Sequence, residues 1–150
     1  GWDHMDLLGD TLPQIAAEKA GIIKQRVPVV VSQRQEEVQH VFVGKAKQQS
    51  AALFFASNKF EATLQHDRLI IQKDKSALLE VDRFPLMGHY QQQNIPGVMQ
   101  AIDCLQDHFK ISQNNIKDGL QKVVTNTSLK GRWQQLGSSP RVFCDTGHNE

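Results

Sequence analysis

Residues 1–24 read GWDHMDLLGDTLPQIAAEKAGIIK, and the rest of the chain is organised around them. Gly1-Trp-Asp-His4 reads as the end of a buried strand and the loop after it. Thr11 then opens a helix: its hydroxyl can cap the first turn, and Gln14 stands at capping-box spacing. Pro13 lies in the first turn, where a missing N–H costs little. Ile15, Ala16 and Ala17 fill the helix, and Gly21 is its stop. His4 on the loop and Lys19 near the helix end are the two chemical candidates, because the chain folds back between them toward a shared site. Each also has a plain structural reading: His4 as a hydrogen-bonded loop residue, Lys19 as a charge favourable with the helix dipole.

The chain has 150 residues, with 17 Lys and Arg against 16 Asp and Glu, a net charge of +1. That length supports one domain with a real core. The charge balance supplies no field for nucleic acid, and no Lys/Arg cluster suggests a phosphate-backbone footprint. Cys104 and Cys144 match no metal spacing and read as reduced thiols of a cytoplasmic protein. The longest apolar run, Val27–Val31, is broken by Pro28 and is too short to span a membrane. No stretch reads as a signal peptide.

Val27–Val31 has the pattern of a strand buried on both faces, as in a parallel sheet. Arg34 to Gln49 carries Val38, Val41 and Phe42 at helical spacing, and Ala51–Ala56 reads as the next buried strand. Residues 60–83 break into FEATLQ, RLIIQKD and SALLEVD, a small antiparallel meander in which His66 and Asp67 are turn residues. Val98, Ala101, Ile102 and Leu105 mark a helix to about Phe109, with Pro96 at its start or at a kink and Asn94 as a natural cap. Ser112 caps another helix through about Val124. Arg141–Asp145 is an apolar strand.

Several of these motifs together resemble the folylpolyglutamate synthase/dihydrofolate synthase branch of the Mur ligase superfamily. The opening stretch matches that family's G-x-D-H, L-G-D-T and E-K-A-G-I-I-K at the same spacing. Gly88-His89 and Asn94 resemble its G-H-x-x-x-N. Gly131-Arg-Trp-Gln134 resembles the G-R-x-[QE] of its interdomain linker, and Asp145-Thr-Gly-His148-Asn149 its D-x-A-H-N-P, with Gly147 for Ala and Glu150 for Pro. The resemblance implies a magnesium ligand at His4 and a carbamylated Lys19, which is both catalytic and a metal contact. It implies ATP contacts from Asn94, Arg132, Asp145 and His148. A carbamate turns an ammonium into the anionic oxygen donor that Mg²⁺ prefers, and carbamylation needs a neutral amine, hence a lysine with a lowered pKa. His89 belongs to a motif but takes no assigned role.

The fold class implied is α/β. It comprises part of a P-loop-type, mostly parallel sheet with helices, a small antiparallel meander, and the first strand of a C-terminal Rossmann-like domain. Residues 1–130 would be the C-terminal part of the ATPase (central) domain, 131–139 the interdomain linker, and 140–150 the start of the C-terminal ligase domain. The family's Gly-rich phosphate loop, G-T-N-G-K-G-S, does not occur in the 150 residues. The chain therefore reads as an internal fragment that lacks N-terminal and C-terminal parts of its enzyme. Alone it is expected to be inactive and prone to self-association.

The implied activity is ATP-dependent addition of L-glutamate to folate or dihydropteroate through an acyl phosphate. The alternatives are a peptidoglycan-precursor Mur ligase, which the E-K-A-G-I-I-K wording disfavours, and a non-catalytic α/β assembly domain, which His4, Lys19, Arg132 and Asp145 disfavour.

Overall fold

The computed structural model describes residues 11–132 and 134–146. Helix α1 (Leu12–Ala20) starts as its sequence requires. The Gln14 N–H donates to Thr11 Oγ1 at 3.4 Å, and the Thr11 N–H donates to Gln14 Oε1 at 3.1 Å. Two amides left without helical partners are thus satisfied reciprocally. Gly21 closes the helix in a right-handed conformation, its N–H shared between the carbonyls of Ala17 and Glu18.

Strand β1 (Val29–Val31), helix α2 (Gln39–Gln48) and strand β2 (Leu53–Phe55) form a strand–helix–strand unit in which β1 and β2 pair in parallel. All three elements are shorter than their sequence patterns. Pro28 has no N–H to contribute, and Val27 is half exposed, so β1 begins at Val29. Residues 34–38 turn instead of coiling: the Arg34 N–H donates to Ser57 Oγ at 3.0 Å, and the Gln35 carbonyl accepts from both Val38 and Gln39. Ala51 is tied back to the Ala46 carbonyl, and Ala56 begins a single 3-10 turn, Ala56–Asn58. Val29–Val31 are only half-buried among the described residues, not covered on both faces, because each strand here has one partner.

The meander is as its sequence reads. Strands β3 (Phe60–Gln65), β4 (Arg68–Lys73) and β5 (Ser76–Val81) pair antiparallel in that order. His66 takes φ 54° in the first turn, and Asp74 and Lys75 take 50° and 63° in the second. Two successive positive φ values make the turn whose twist suits a hairpin. The core lies under this sheet. Phe60, Leu69, Ile71 and Val81, with Phe84 and Leu86 just beyond, share one cluster with Ile95 and Met99 of helix α3 (Gln91–Leu105) and Leu120 of helix α4 (Gln113–Gln121).

Helix α3 differs from its expected form. It begins at Gln91 with Tyr90 at its N-cap, so Asn94 is not the cap and Pro96 is inside the helix. Its buried face is Gln91, Ile95, Met99 and, in part, Ile102, whereas Val98 and Leu105 are exposed. Pro96 removes one helical N–H donor, and its own burial with Ile95 and Met99 holds the turn in place. One position on, a Cβ on Gly97 would stand 2.2 Å from Ser32 Oγ, so α3 lies backbone-close to the loop after β1. The Gln33 side chain donates to the Gln93 carbonyl at the same junction. Ser112 caps α4 through a second capping box, with Asn115, and a short helix α5 (Val123–Thr127) follows. Strands β6 (Gln134–Ser138) and β7 (Arg141–Cys144) then form an antiparallel hairpin.

Asp103 on α3 ties the helix to the meander. Its carboxylate accepts from Lys59 at 2.7 Å and from Lys73 at 3.0 Å, and both ammonium groups sit within 6 Å of the Phe60 ring. Partial burial pushes the Asp103 pKa up, but the hydrogen bonds and charges of the two lysines outweigh it and hold the carboxyl below its ordinary 3.8. The hydrogen bond to Asp103 raises Lys59 above 10.5. A depressed carboxylate stabilises the fold above its unfolded pKa, and that contribution is lost as pH falls through the folded value. Asp103→Asn should therefore lower neutral-pH stability by about 1 kcal/mol, the scale for partly exposed pairs. The gap to wild type should close in denaturant melts as pH drops below 3.8.

Candidate functional site

The segment from Pro85 to Tyr90 runs from the meander into α3 and separates two open clefts. One, of about 550 Å³, is lined by Leu64, His66, Met87, Gly88, His89, Tyr90 and Asp145. The other, of about 540 Å³, is lined by Pro85, Met87, Val124, Leu129, Arg132, Gln134, Gln135 and Phe143. Met87 belongs to both. The structure thus sets Asp145 beside Gly88 and His89 in one cleft, and Arg132 in the cleft across Met87.

The arrangement comes from how Gly131–Gln134 folds. Gly131 has φ 66°, a region that glycine enters freely and other residues rarely do. Its N–H donates to Gln134 Oε1 at 3.0 Å, so the Gly-Arg-x-Gln segment closes on itself and Arg132 stands exposed at its bend. The Gly131 carbonyl accepts two bonds from Thr146, from the N–H at 2.8 Å and from Oγ1 at 3.0 Å. The residue after Asp145 is thereby fastened to the residue before Arg132. An exposed guanidinium is a fork of donors for an oxyanion, and a carboxylate at a strand end accepts hydrogen bonds.

Asn94 lies in the first turn of α3, where its Nδ2 donates to Gln91 Oε1 at 3.1 Å. It lines neither of these clefts. Lys19 is exposed on the last turn of α1 and borders a third cleft, of about 460 Å³, with Ile22, Ile23, Val29–Val31, Ser32 and Phe42. Ser32 is the residue that touches Gly97, so the first two turns of α3 bridge the Lys19 cleft to the Asp145 side. His4 and His148 lie outside the described residues. Among the described residues no group of three His, Cys, Asp or Glu side chains converges on a point where a metal ion would sit. An ammonium at Lys19 does not hold a cation. The described residues alone therefore do not fit a magnesium site.

Two lining residues had no site role in the sequence reading. His66 was assigned to a turn, correctly, but that turn opens onto the Asp145 cleft; Tyr90 lies in the motif segment as an unassigned residue. Residues 66 and 145 line one cleft although they are far apart along the chain, and no local pattern carries that.

No family model matches the chain. The dihydrofolate synthase/folylpolyglutamate synthase of Bacillus subtilis is 33% identical over 156 residues, covering 100% of this chain and 35% of that protein. Among solved structures, an FPGS–AMPPCP–folate complex superposes with a TM-score of 0.78 at 28% identity, covering 99% of this chain and 37% of its own. Escherichia coli FolC in complex with DHPP and ADP superposes at 0.76 and 26% identity, covering 99% of this chain and 33% of its own. The chain thus spans about a third of the length of the relatives it matches. No helix among the described residues is long and apolar enough to cross a membrane.

The Gly131–Thr146 fastening is open to a direct test. An Ala at residue 131 would hold a left-handed conformation costing about 1–2 kcal/mol, and its Cβ would stand 2.5 Å from Thr146 Cγ2. Gly131→Ala should lower the unfolding midpoint and speed amide exchange at Thr146, while Gly119→Ala, whose Cβ meets nothing within 4 Å, should do neither.

Proposed function

We propose, because this chain belongs to the folylpolyglutamate synthase/dihydrofolate synthase family, that the whole protein is an ATP-dependent, ADP-forming ligase that joins L-glutamate to folate or dihydropteroate. The chemistry is activation and capture. A substrate carboxylate oxygen attacks the γ-phosphorus of ATP, ADP leaves, and an acyl phosphate forms. The amine of glutamate then attacks the acyl carbon and forms the amide C–N bond, the acyl carbon–oxygen bond breaks so that phosphate leaves with its electron pair, and the amine loses a proton. Positioning and charge stabilisation supply most of the catalysis of such phosphoryl transfers.

The observation that carries this reading is the tie between Gly131 and Thr146. It holds Arg132 and Asp145, which stand in two separate family motifs, on either side of Met87 in adjoining clefts. In this reading Arg132 contacts phosphate oxygens, Asp145 accepts hydrogen bonds from the nucleotide, and Asn94 and His148 complete the ATP contacts. His4 and a carbamylated Lys19 are the proposed magnesium contacts; the Lys19 amine adds to carbon dioxide with loss of a proton. The carbamate requires more than the described residues provide, since Lys19 is exposed here. Its desolvation and the remaining metal ligands belong to the two-thirds of the relatives' length that this chain does not span. The free thiols of Cys104 and Cys144 fit a cytoplasmic enzyme.

The assay is glutamate-dependent ADP release by the whole protein. Lys19→Ala should lose most activity and regain part of it with small added carboxylates; full activity of the variant would remove Lys19 from the mechanism. Arg132→Ala should weaken productive use of ATP about tenfold or more, as expected for a charge-assisted contact, with folate affinity little changed. The 150-residue chain alone should release no ADP and bind Mg-ATP only weakly, because the phosphate loop that would cradle ATP is not in it. It should also scatter light as an oligomer through the edges of β1 and β2 that carry no further strand among the described residues. Micromolar ATP binding by a monomeric chain would contradict both expectations.

A further inference from the structure

A fourth cleft, of about 180 Å³, opens where the start of β3, the end of β4 and part of β5 meet the second half of α3 and the first turn of α4. The hairpin register places it: Phe60↔Lys73 pair at this end of β3 and β4, and Gln65↔Arg68 at the other, beside the His66 turn. Neither Lys19, Asn94, Arg132 nor Asp145 lines it.

Its walls are largely apolar. Phe60 and Met99 are buried, and Leu78, Ile102 and Ile116 pack half-buried against the same cluster. Lys73 and Asp103 stand among them with opposite charges, the Lys73 Nζ 3.0 Å from Asp103 Oδ1, and their side chains are 35% and 29% exposed. Asp103 gives its other oxygen to Lys59, at 2.7 Å. Lys59 does not line the cleft. It is also tied to Asp74, whose N–H donates to the Lys59 carbonyl and whose charge acts on the Lys59 ammonium. The cluster thus sets two ammonium groups against two carboxylates, and one of each lines the cleft.

That pair selects among small ligands. An ammonium has three donors and a carboxylate about four lone-pair sites. Lys73 donates to Asp103 and Asp103 accepts from two lysines, so each keeps capacity for a further partner. A plain carboxylate entering the cleft would gain Lys73 but meet the like charge of Asp103. A plain amine would gain Asp103 but meet Lys73. A zwitterion laid across the pair satisfies both, its carboxylate on Lys73 and its ammonium on Asp103, and its hydrocarbon enters the apolar walls. Pockets for drug-sized ligands run to about 300–1,000 Å³, so 180 Å³ suits a molecule of amino-acid size.

We propose that this cleft binds a free α-amino acid with an apolar side chain, of the size of leucine or methionine, and that Lys73 and Asp103 hold its charged groups. The site stands apart from the ligase reading, since it uses none of the residues assigned to ATP or magnesium there.

The test is calorimetry on the whole protein with L-leucine, 4-methylpentanoate, which is leucine without its amine, and 3-methylbutylamine, which is leucine without its carboxylate. L-Leucine should bind at one site with a Kd of about 1 mM, the scale for so few heavy atoms. Each analogue should bind about tenfold more weakly or worse, having lost one charge-assisted contact. Lys73→Met and Asp103→Asn should each weaken leucine by a similar factor, whereas Lys59→Met, outside the cleft, should stay within about threefold. Excess L-glutamate should not displace leucine. Absence of leucine binding, equal affinity for either analogue, or an unaltered Kd in Lys73→Met would overturn the assignment. So would displacement by L-glutamate, which would put leucine in a glutamate site instead. The analogue series uses the unaltered protein, so it decides the matter even where a variant fails to fold.

Discussion

Leu69 and Ile71 are fully buried on β4, and they share one apolar layer with Ile95 and Met99 of α3. That layer sets the position of everything near the clefts. It fixes α3 beneath the meander, so the Pro85–Tyr90 segment must cross from one to the other at the place where His66 turns. Full burial of a side chain of this size contributes about 1.5–3 kcal/mol, and the layer combines several of them. The Lys59–Asp103–Lys73 cluster closes its rim with charge. The strand–helix–strand unit is attached more lightly, through the backbone approach of Gly97 to Ser32 and the bond from Gln33 to Gln93.

What the sequence reveals of this follows the range of the interactions. Capping at Thr11 and Ser112, and the meander's turns, are decided within a few residues, and each forms as read. The parallel unit is legible in kind but not in extent, because the length of β1 depends on what flanks Pro28 and that of β2 on a tie from Ala51 to Ala46. For α3 the sequence leaves Pro96 at the helix start or at a kink, with Asn94 as the cap; the burial of Gln91, Ile95 and Met99 carries the helix a full turn upstream, so Pro96 lies inside it and Tyr90, not Asn94, is the cap. No window of local sequence records that Ile95 and Met99 share a cluster with Ile71.

The site shows the same division. Arg132 and Asp145 are legible through motif resemblance, and the structure adds why a glutamine stands at residue 134: its amide oxygen takes the Gly131 N–H and rounds off the bend that presents the arginine. Tyr90 and His66 carry no motif signal of their own. They become neighbours of Asp145 only because a hairpin turn, a helix entry and a strand end converge, three features that are far apart along the chain.

The bonds from Thr146 to Gly131 also close residues 131–146 into a ring of chain. Such a ring would move, if it moves, as one piece. Its link to the preceding helix is the short stretch from Ser128, itself at φ 52°, to Lys130. Rotation about that stretch would carry the guanidinium and the carboxylate through the same arc. The two sides of Met87 would then open and shut in step, so that both ends of a long ligand are gripped in one movement and released in one.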